Sequence, residues 1–104
     1  MDEAWAKILT QVRADTSNDM EAFFNLAALM AEKINFPLVG DWLGEEVTVT
    51  GVDQVYSSHS HGLKVTAVSH NDPLPIEEIQ FHNLDKISAR WLQFYTLWRD
   101  DYFG

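Results

Sequence analysis

The sequence predicts an α+β domain, with helices at both ends and a compact β region between them. Two observations carry the prediction. From Phe36 to Phe81 apolar residues recur at every second position over much of the run, with turn-forming residues between the runs. On either side apolar residues recur instead at spacings of three and four, the period of an α-helix. The 104 residues are expected to form a single domain, helical over 1–35, β over 36–81 and helical over 82–104.

The first helix is expected over Asp2 to Ala14, where Ala4, Trp5, Ile8, Leu9 and Val12 share one face. A polar break from Asp15 to Asp19, rich in capping residue types, reads as a corner between helices. Ala22, Phe23, Leu26, Ala27, Met30 and Ile34 then form the stripe of a second helix. Phe24, Leu29 and Ala31 broaden that stripe, which predicts deeper burial than for the first helix. Asn35-Phe36-Pro37 ends it, because proline forces the preceding residue toward extended geometry.

In the middle region, Phe36 to Val39 is expected to be extended, and Gly40 and Gly44 to flank a turn around Asp41, Trp42 and Leu43. Val47 and Val49 alternate with Thr48 and Thr50, a β-branched pattern suited to a half-buried strand. Gly51 and Asp53 mark a bend or bulge, and Ser57 to Gly62 reads as the turn into a strand at Leu63 to Ser69. His70 to Pro73 is a turn signature, and Leu74 to Phe81 gives one more strand, with Pro75 pointing to an edge or an irregularity. About four short strands in this span fit a small, highly curved barrel or meander of the SH3-like kind. In the closing helix, Leu84, Ile87, Trp91, Phe94, Tyr95, Trp98 and Tyr102 share one side and are expected to pack on the core, with Asn83 as the cap and Asp85 and Lys86 exposed.

Composition narrows the function. An apolar fraction of 46% and thirteen aromatic residues argue against disorder, and the absence of cysteine removes disulfides, thiolate zinc sites and cysteine nucleophiles. The opening MDEAWAKIL carries acids where a signal peptide carries bases, and no apolar run approaches the roughly 20 residues that span a bilayer, so a soluble cytoplasmic protein is expected. Sixteen acidic against seven basic residues give a formal charge of −9, which disfavours nucleic acid and anionic membrane as partners. No nucleophile elbow, phosphate-binding glycine loop or dinucleotide fingerprint is present, so no enzymatic activity is expected.

The acidic residues are concentrated. Between Phe36 and Phe81, Asp41, Glu45, Glu46, Asp53, Asp72, Glu77 and Glu78 stand against the single base Lys64. Most fall at strand ends and turns, where carboxylates from several loops can supply the six to eight oxygen ligands that calcium takes. His59 and His61 are two apart and on a strand would share a face, as a transition-metal pair does, but their setting, Ser57 to Gly62, reads as an exposed loop.

The order Phe36-Pro37, then Gly44-Glu45-Glu46-Val47-x-Val49-x-Gly51, then Leu74-Pro75-Ile76-x-x-Ile79, then Ile87-x-x-x-Trp91 resembles the small acidic calcium-binding proteins of the cyanobacterial CcbP type. The resemblance covers about residues 33 to 98. It implies a compact domain that binds calcium through surface carboxylates, without an EF-hand, and buffers or senses the free ion. The acidic positions that match are Glu45 and Glu46; Asp41, Asp53, Asp72, Glu77 and Glu78 are added on charge density. The chain departs from the family, which is more acidic between the second and third strands, at Ser57, Ser58, His59, Ser60 and His61. The alternative is a non-enzymatic interaction module whose acidic SH3-like surface docks a basic protein partner.

Overall fold

A computed structural model of the chain describes residues 3–103. Three helices and five strands follow in the order α1 (Glu3–Arg13), α2 (Asp19–Lys33), β1 (Leu38–Trp42), β2 (Glu45–Ser58), β3 (Gly62–Ala67), β4 (Leu74–Pro75), a 3-10 turn (Ile76–Glu78), β5 (Ile79–Phe81) and α3 (Lys86–Arg99). Asp2, which the sequence assigns to the first helix, lies outside the described residues. No helix among the described residues is long and apolar enough to cross a membrane.

Local chemistry sets the helix boundaries. Asn18 caps α2 by accepting the Glu21 backbone N–H, while the Glu21 carboxylate accepts the Ser17 N–H at 2.7 Å, so two otherwise unmatched donors are satisfied reciprocally. As expected, α2 is the more deeply buried of the first two helices, although Phe24 is exposed. The cap of α3 is Asp85 rather than the expected Asn83, which adopts a positive φ of 50° instead. Asp85 accepts the Ser88 N–H and the Asn35 side-chain amide, each at 3.0 Å, and the Ser88 hydroxyl accepts the Asn35 N–H at 2.9 Å. The end of α2 is thereby tied to the start of α3. The last helix ends at Arg99, which leaves Tyr102 beyond it and exposed; Ile87, expected on the packed side, is also exposed.

The sheet is antiparallel throughout, in the order β4-β3-β2-β1-β5. Leu43 and Gly44, both with positive φ, form a two-residue hairpin turn, so Asp41 and Trp42 belong to β1 and not to the turn expected there. Ser57 and Ser58 likewise extend β2, and the span read as one strand from Leu74 to Phe81 divides into two around the 3-10 turn. The irregularity expected at Gly51 is a bulge: Val49 faces Ala67 while Gly51 faces Thr66. The extra residue restores the inward phase, so Val52 opposes the buried Val65.

Of the SH3-like barrel or meander of about four strands expected from the sequence, β1 to β4 pair in sequence order as a meander does, but the sheet is not closed into a barrel. The 3-10 turn leads from β4 at one edge to β5 at the other, and at about 2 Å per residue it spans roughly 8 Å. In a flat sheet of five strands the edges would lie about 19 Å apart, so the sheet must curl strongly. It remains open, since β4 has only two residues, one of them Pro75 without an N–H to donate, and no ladder joins β4 to β5 among the described residues.

One face of the sheet carries the core. Val47, Val49, Leu63, Val65, Ala67, Leu74 and Ile79 are buried, with α2 packed on β2 and with α1 and α3 packed on α2. Phe94 is fully buried, stacks on Phe103 at 4.7 Å and meets Trp5 at 6.0 Å, which joins α1, α3 and the C-terminal turn. The expected packing role of the aromatic stripe holds for Trp91, Phe94 and Tyr95, all buried.

Two outcomes test this account. A Cβ added at Gly40 would lie 2.7 Å from the Gln80 carbonyl oxygen and 2.8 Å from Ile79 Cγ2. Gly40→Ala should therefore push β5 away from β1 and cost about 1–3 kcal/mol in urea unfolding. The Ser88 N–H holds the Asp85 carboxyl below its ordinary value of 3.8. Its contribution is then fully present above that value and is lost as the pH falls through the lower folded-state value. Asp85→Ala should lower the melting temperature at neutral pH, and the gap to the parent should close on acidification below pH 3.8.

Candidate metal site

Strand pairing gathers some of the acidic residues and separates others. Asp41 lies directly opposite Glu46 on β2 and opposite Gln80 on β5. Directly opposed residues share a face, so Glu46, Asp41 and Gln80 form a row across the outer, solvent-facing side of the sheet. Glu78, the last residue of the 3-10 turn, lines with Asp41, Leu43, Gly44 and Gln80 a shallow hollow of about 410 Å³. Its Oε1 accepts the Trp42 indole N–H at 3.3 Å. Two carboxylates placed directly opposite each other repel. His82 partly offsets this when protonated, since its Nε2 lies 3.0 Å from Asp41 Oδ2.

The other sequence candidates lie elsewhere. Glu45 opposes Trp42 at the start of β2, exposed, and on the opposite phase of the strand from Glu46. Asp53 is engaged in a turn: its Oδ1 accepts the N–H groups of Val55 and Tyr56, each at 3.0 Å. The buried Ser57 hydroxyl closes the same irregular stretch by donating to the Asp53 carbonyl and accepting the Lys64 N–H. Asp72 is exposed in the loop between β3 and β4 and makes no hydrogen bond or ion pair with a described residue. His59 packs edge-on against Phe23, and His61 Nδ1 is shared between the hydroxyls of Ser58 and Ser60, so the two imidazoles do not form a pair.

Glu77 and Glu78 diverge because successive residues of a 3-10 turn project about 120° apart. Glu77 turns to α3, where it accepts the Tyr95 hydroxyl and lies 3.4 Å from Arg99 Nε. The Tyr95 oxygen in turn accepts the buried Leu63 N–H at 2.8 Å, which ties α3 to β3. Burial, together with the Glu77 carboxylate, pushes the Tyr95 hydroxyl well above its ordinary ionisation range, so it remains a donor.

Among the described residues no three acidic or imidazole groups are gathered into a ready metal cage. What the sheet presents is an exposed set of hard oxygen donors, from Asp41, Glu46, Glu78 and the Gln80 amide. The sequence alone does not single out Gln80 or His82, although they alternate with the apolar Ile79 and Phe81. The strand register that brings them beside Asp41 is set by pairing between distant residues.

No protein-family model and no curated protein matches the chain. Solved structures do. The crystal structure of CcbP from Anabaena superposes with a TM-score of 0.73 at 15% identity, over 94% of this chain and 90% of that one. A calcium-binding protein in its calcium-binding form superposes with a TM-score of 0.67 at 16% identity, over 99% of this chain and 94% of that one. The chain therefore has the CcbP-type fold that its motifs resemble.

The Tyr95 link is testable. Tyr95→Phe leaves the buried Leu63 N–H and the Glu77 carboxylate without their partner and should cost about 1–3 kcal/mol in urea unfolding. Glu77→Gln keeps an acceptor for the hydroxyl and should cost less.

Proposed function

We propose that the chain binds calcium on the outer face of the sheet, with Asp41, Glu46 and Glu78 as carboxylate ligands and Gln80 as an amide ligand. The observation that carries this reading is the directly opposed pair Asp41 and Glu46, with Glu78 sharing a hollow with Asp41, on a fold shared with a calcium-binding protein in its calcium-binding form. Opposed carboxylates are unfavourable without a counter-charge, and a divalent cation between them turns the repulsion into attraction. The donor set fits: calcium is a hard cation that takes oxygen ligands in flexible arrangements, and water completes the coordination on an exposed face.

Asp53 and Glu77 are committed to hydrogen bonds within the fold and stand outside the ligand set. Glu45, the other acidic position matched by the family resemblance, adds charge at the hairpin rim, and Asp72 adds charge in the loop between β3 and β4. The donors sit on hydrogen-bonded strands and on a short turn fixed at both ends, so binding changes the charge of the surface more than its shape. That favours buffering of the ion over sensing it, in a non-enzymatic, cytoplasmic protein. A second reading, in which the same face docks a basic protein partner, draws on the same carboxylates and on the exposed Val39 and Leu43 beside them.

Calorimetric titration of metal-free protein with calcium, with magnesium as the control, should give saturable, calcium-selective heat with a dissociation constant of about 10⁻⁵ M or weaker. Asp41→Asn and Glu46→Gln should each weaken binding by about tenfold, as a charged ligand is removed. Glu77→Gln should leave the affinity unchanged. Absence of calcium-selective heat, together with salt-sensitive capture of a basic partner, would move the assignment to the second reading.

A further inference from the structure

The helical layer carries a charge distribution opposite to that of the sheet. α1 and α3 frame a groove of about 600 Å³ lined by Lys7, Lys86 and Arg90 together with the apolar Ile8, Ile87 and Trp91. Among the described residues, three bases thus line one groove against a single acidic residue, Glu3. None of the three cations forms an ion pair with a described residue. Lys86 also occupies the first position of α3, where the helix dipole disfavours a positive charge, so its placement does not serve the helix. Ile87 follows it with 57% of its surface exposed, although it belongs to the apolar stripe.

From this charge complementarity we propose that the α1–α3 groove docks an acidic amphipathic helix of a protein partner. The partner's apolar side chains would lie on Ile8, Ile87 and Trp91, with its Asp or Glu residues against Lys7, Lys86 and Arg90. A groove between two helices is the usual seat for a third, with anchor residues three and four apart. The volume falls within the range of specific binding clefts, roughly 300–1,000 Å³. An extended polyanion or an anionic bilayer meets the remaining, strongly negative surface as well as the groove, and is repelled by it. A single peptide helix touches the groove alone.

The test uses the full chain and a fluorescein-labelled peptide of about 18 residues, long enough to hold a helix, with Leu on one face and Glu on the other. Its anisotropy should rise saturably, and a peptide with Lys in place of Glu should not bind. Lys7→Glu combined with Arg90→Glu should weaken binding by about tenfold, as expected for two exposed ion pairs. Both positions are exposed, so the far-ultraviolet circular dichroism should stay unchanged. Ile87→Asp should weaken binding independently, through the apolar lining. The proposal is overturned if the Glu peptide fails to bind, if the Lys peptide binds equally, or if the double variant binds as the parent does. Binding of phosphatidylserine vesicles in place of the peptide would assign the groove to a membrane and overturn it too. So would self-association in sedimentation that the double variant abolishes, which would assign the groove to a second copy.

Discussion

A sheet with only one covered face constrains everything else in this molecule. Period-two alternation sends Val47, Val49, Leu63, Val65 and Ala67 under the helices and leaves Thr48, Thr50, Thr66, Asp41 and Glu46 on the other side. A shift of one residue in any strand would bury its polar set, so the register is held strongly. The bulge between Val49 and Gly51 belongs to this constraint. It adds one residue to β2, twists the strand and returns Val52 to the inner face opposite Val65. Outer-face carboxylates are the consequence, because a charged side chain cannot be placed on the helix-covered face without a partner.

Within that frame the acidic residues divide by what their oxygens already do. Asp53 and Asp85 accept backbone N–H groups, and Glu77 accepts a hydroxyl, so these three carboxylates hold turns, a helix start and the seam between α3 and β3. The seam matters to the curl of the sheet. Tyr95 ties α3 to Leu63 on β3 and to Glu77 in the turn that crosses between the two sheet edges. Arg99 reinforces it through Glu77 and through a 2.6 Å bond to the His59 carbonyl at the β2–β3 turn. Among the described residues Asp41, Glu46 and Glu78 accept no backbone N–H; Asp41 meets only the His82 ring and Glu78 only the Trp42 indole, side chains that leave further carboxylate oxygens for a cation.

Much of the fold was legible because its strongest signals are local. The stripes of α1, α2 and α3, the alternation around Val47 and Val49 and the bulge at Gly51 are properties of short windows, and all are present. What failed depends on contacts between distant residues. Asn83 and Asp85 are both competent capping types; Asp85 takes the Ser88 N–H and is also held by Asn35, fifty positions earlier, a contact no short window shows. Closure of the barrel depends on whether two-residue β4 can reach β5, which no window shows. The candidate site was half legible for the same reason. Charge density points to Asp41, Glu45, Glu46, Asp53, Asp72, Glu77 and Glu78 alike. Density alone could not show that Glu77 is absorbed by Tyr95, or that Gln80 and His82 complete the row beside Asp41.

The two proposed surfaces lie on opposite layers, and the size of the molecule sets how far one can influence the other. Calcium on the sheet face would add two positive charges to a protein of net charge −9, and so reduce the long-range repulsion of any acidic partner approaching the helices. The helices cover the inner face while the proposed ligands stand on the outer one, in a molecule whose shortest dimension is 22 Å. At physiological ionic strength the Debye length is about 8 Å, so a direct field effect across that thickness is small. Coupling between the surfaces would therefore have to pass through packing, and the route available is the 3-10 turn. There Glu78 faces the sheet hollow while its neighbour Glu77 grips Tyr95 and Arg99 on α3, the helix whose other end frames the groove. The residue before Glu78 is held by α3, so any linkage between the two faces would run through that pair of glutamates.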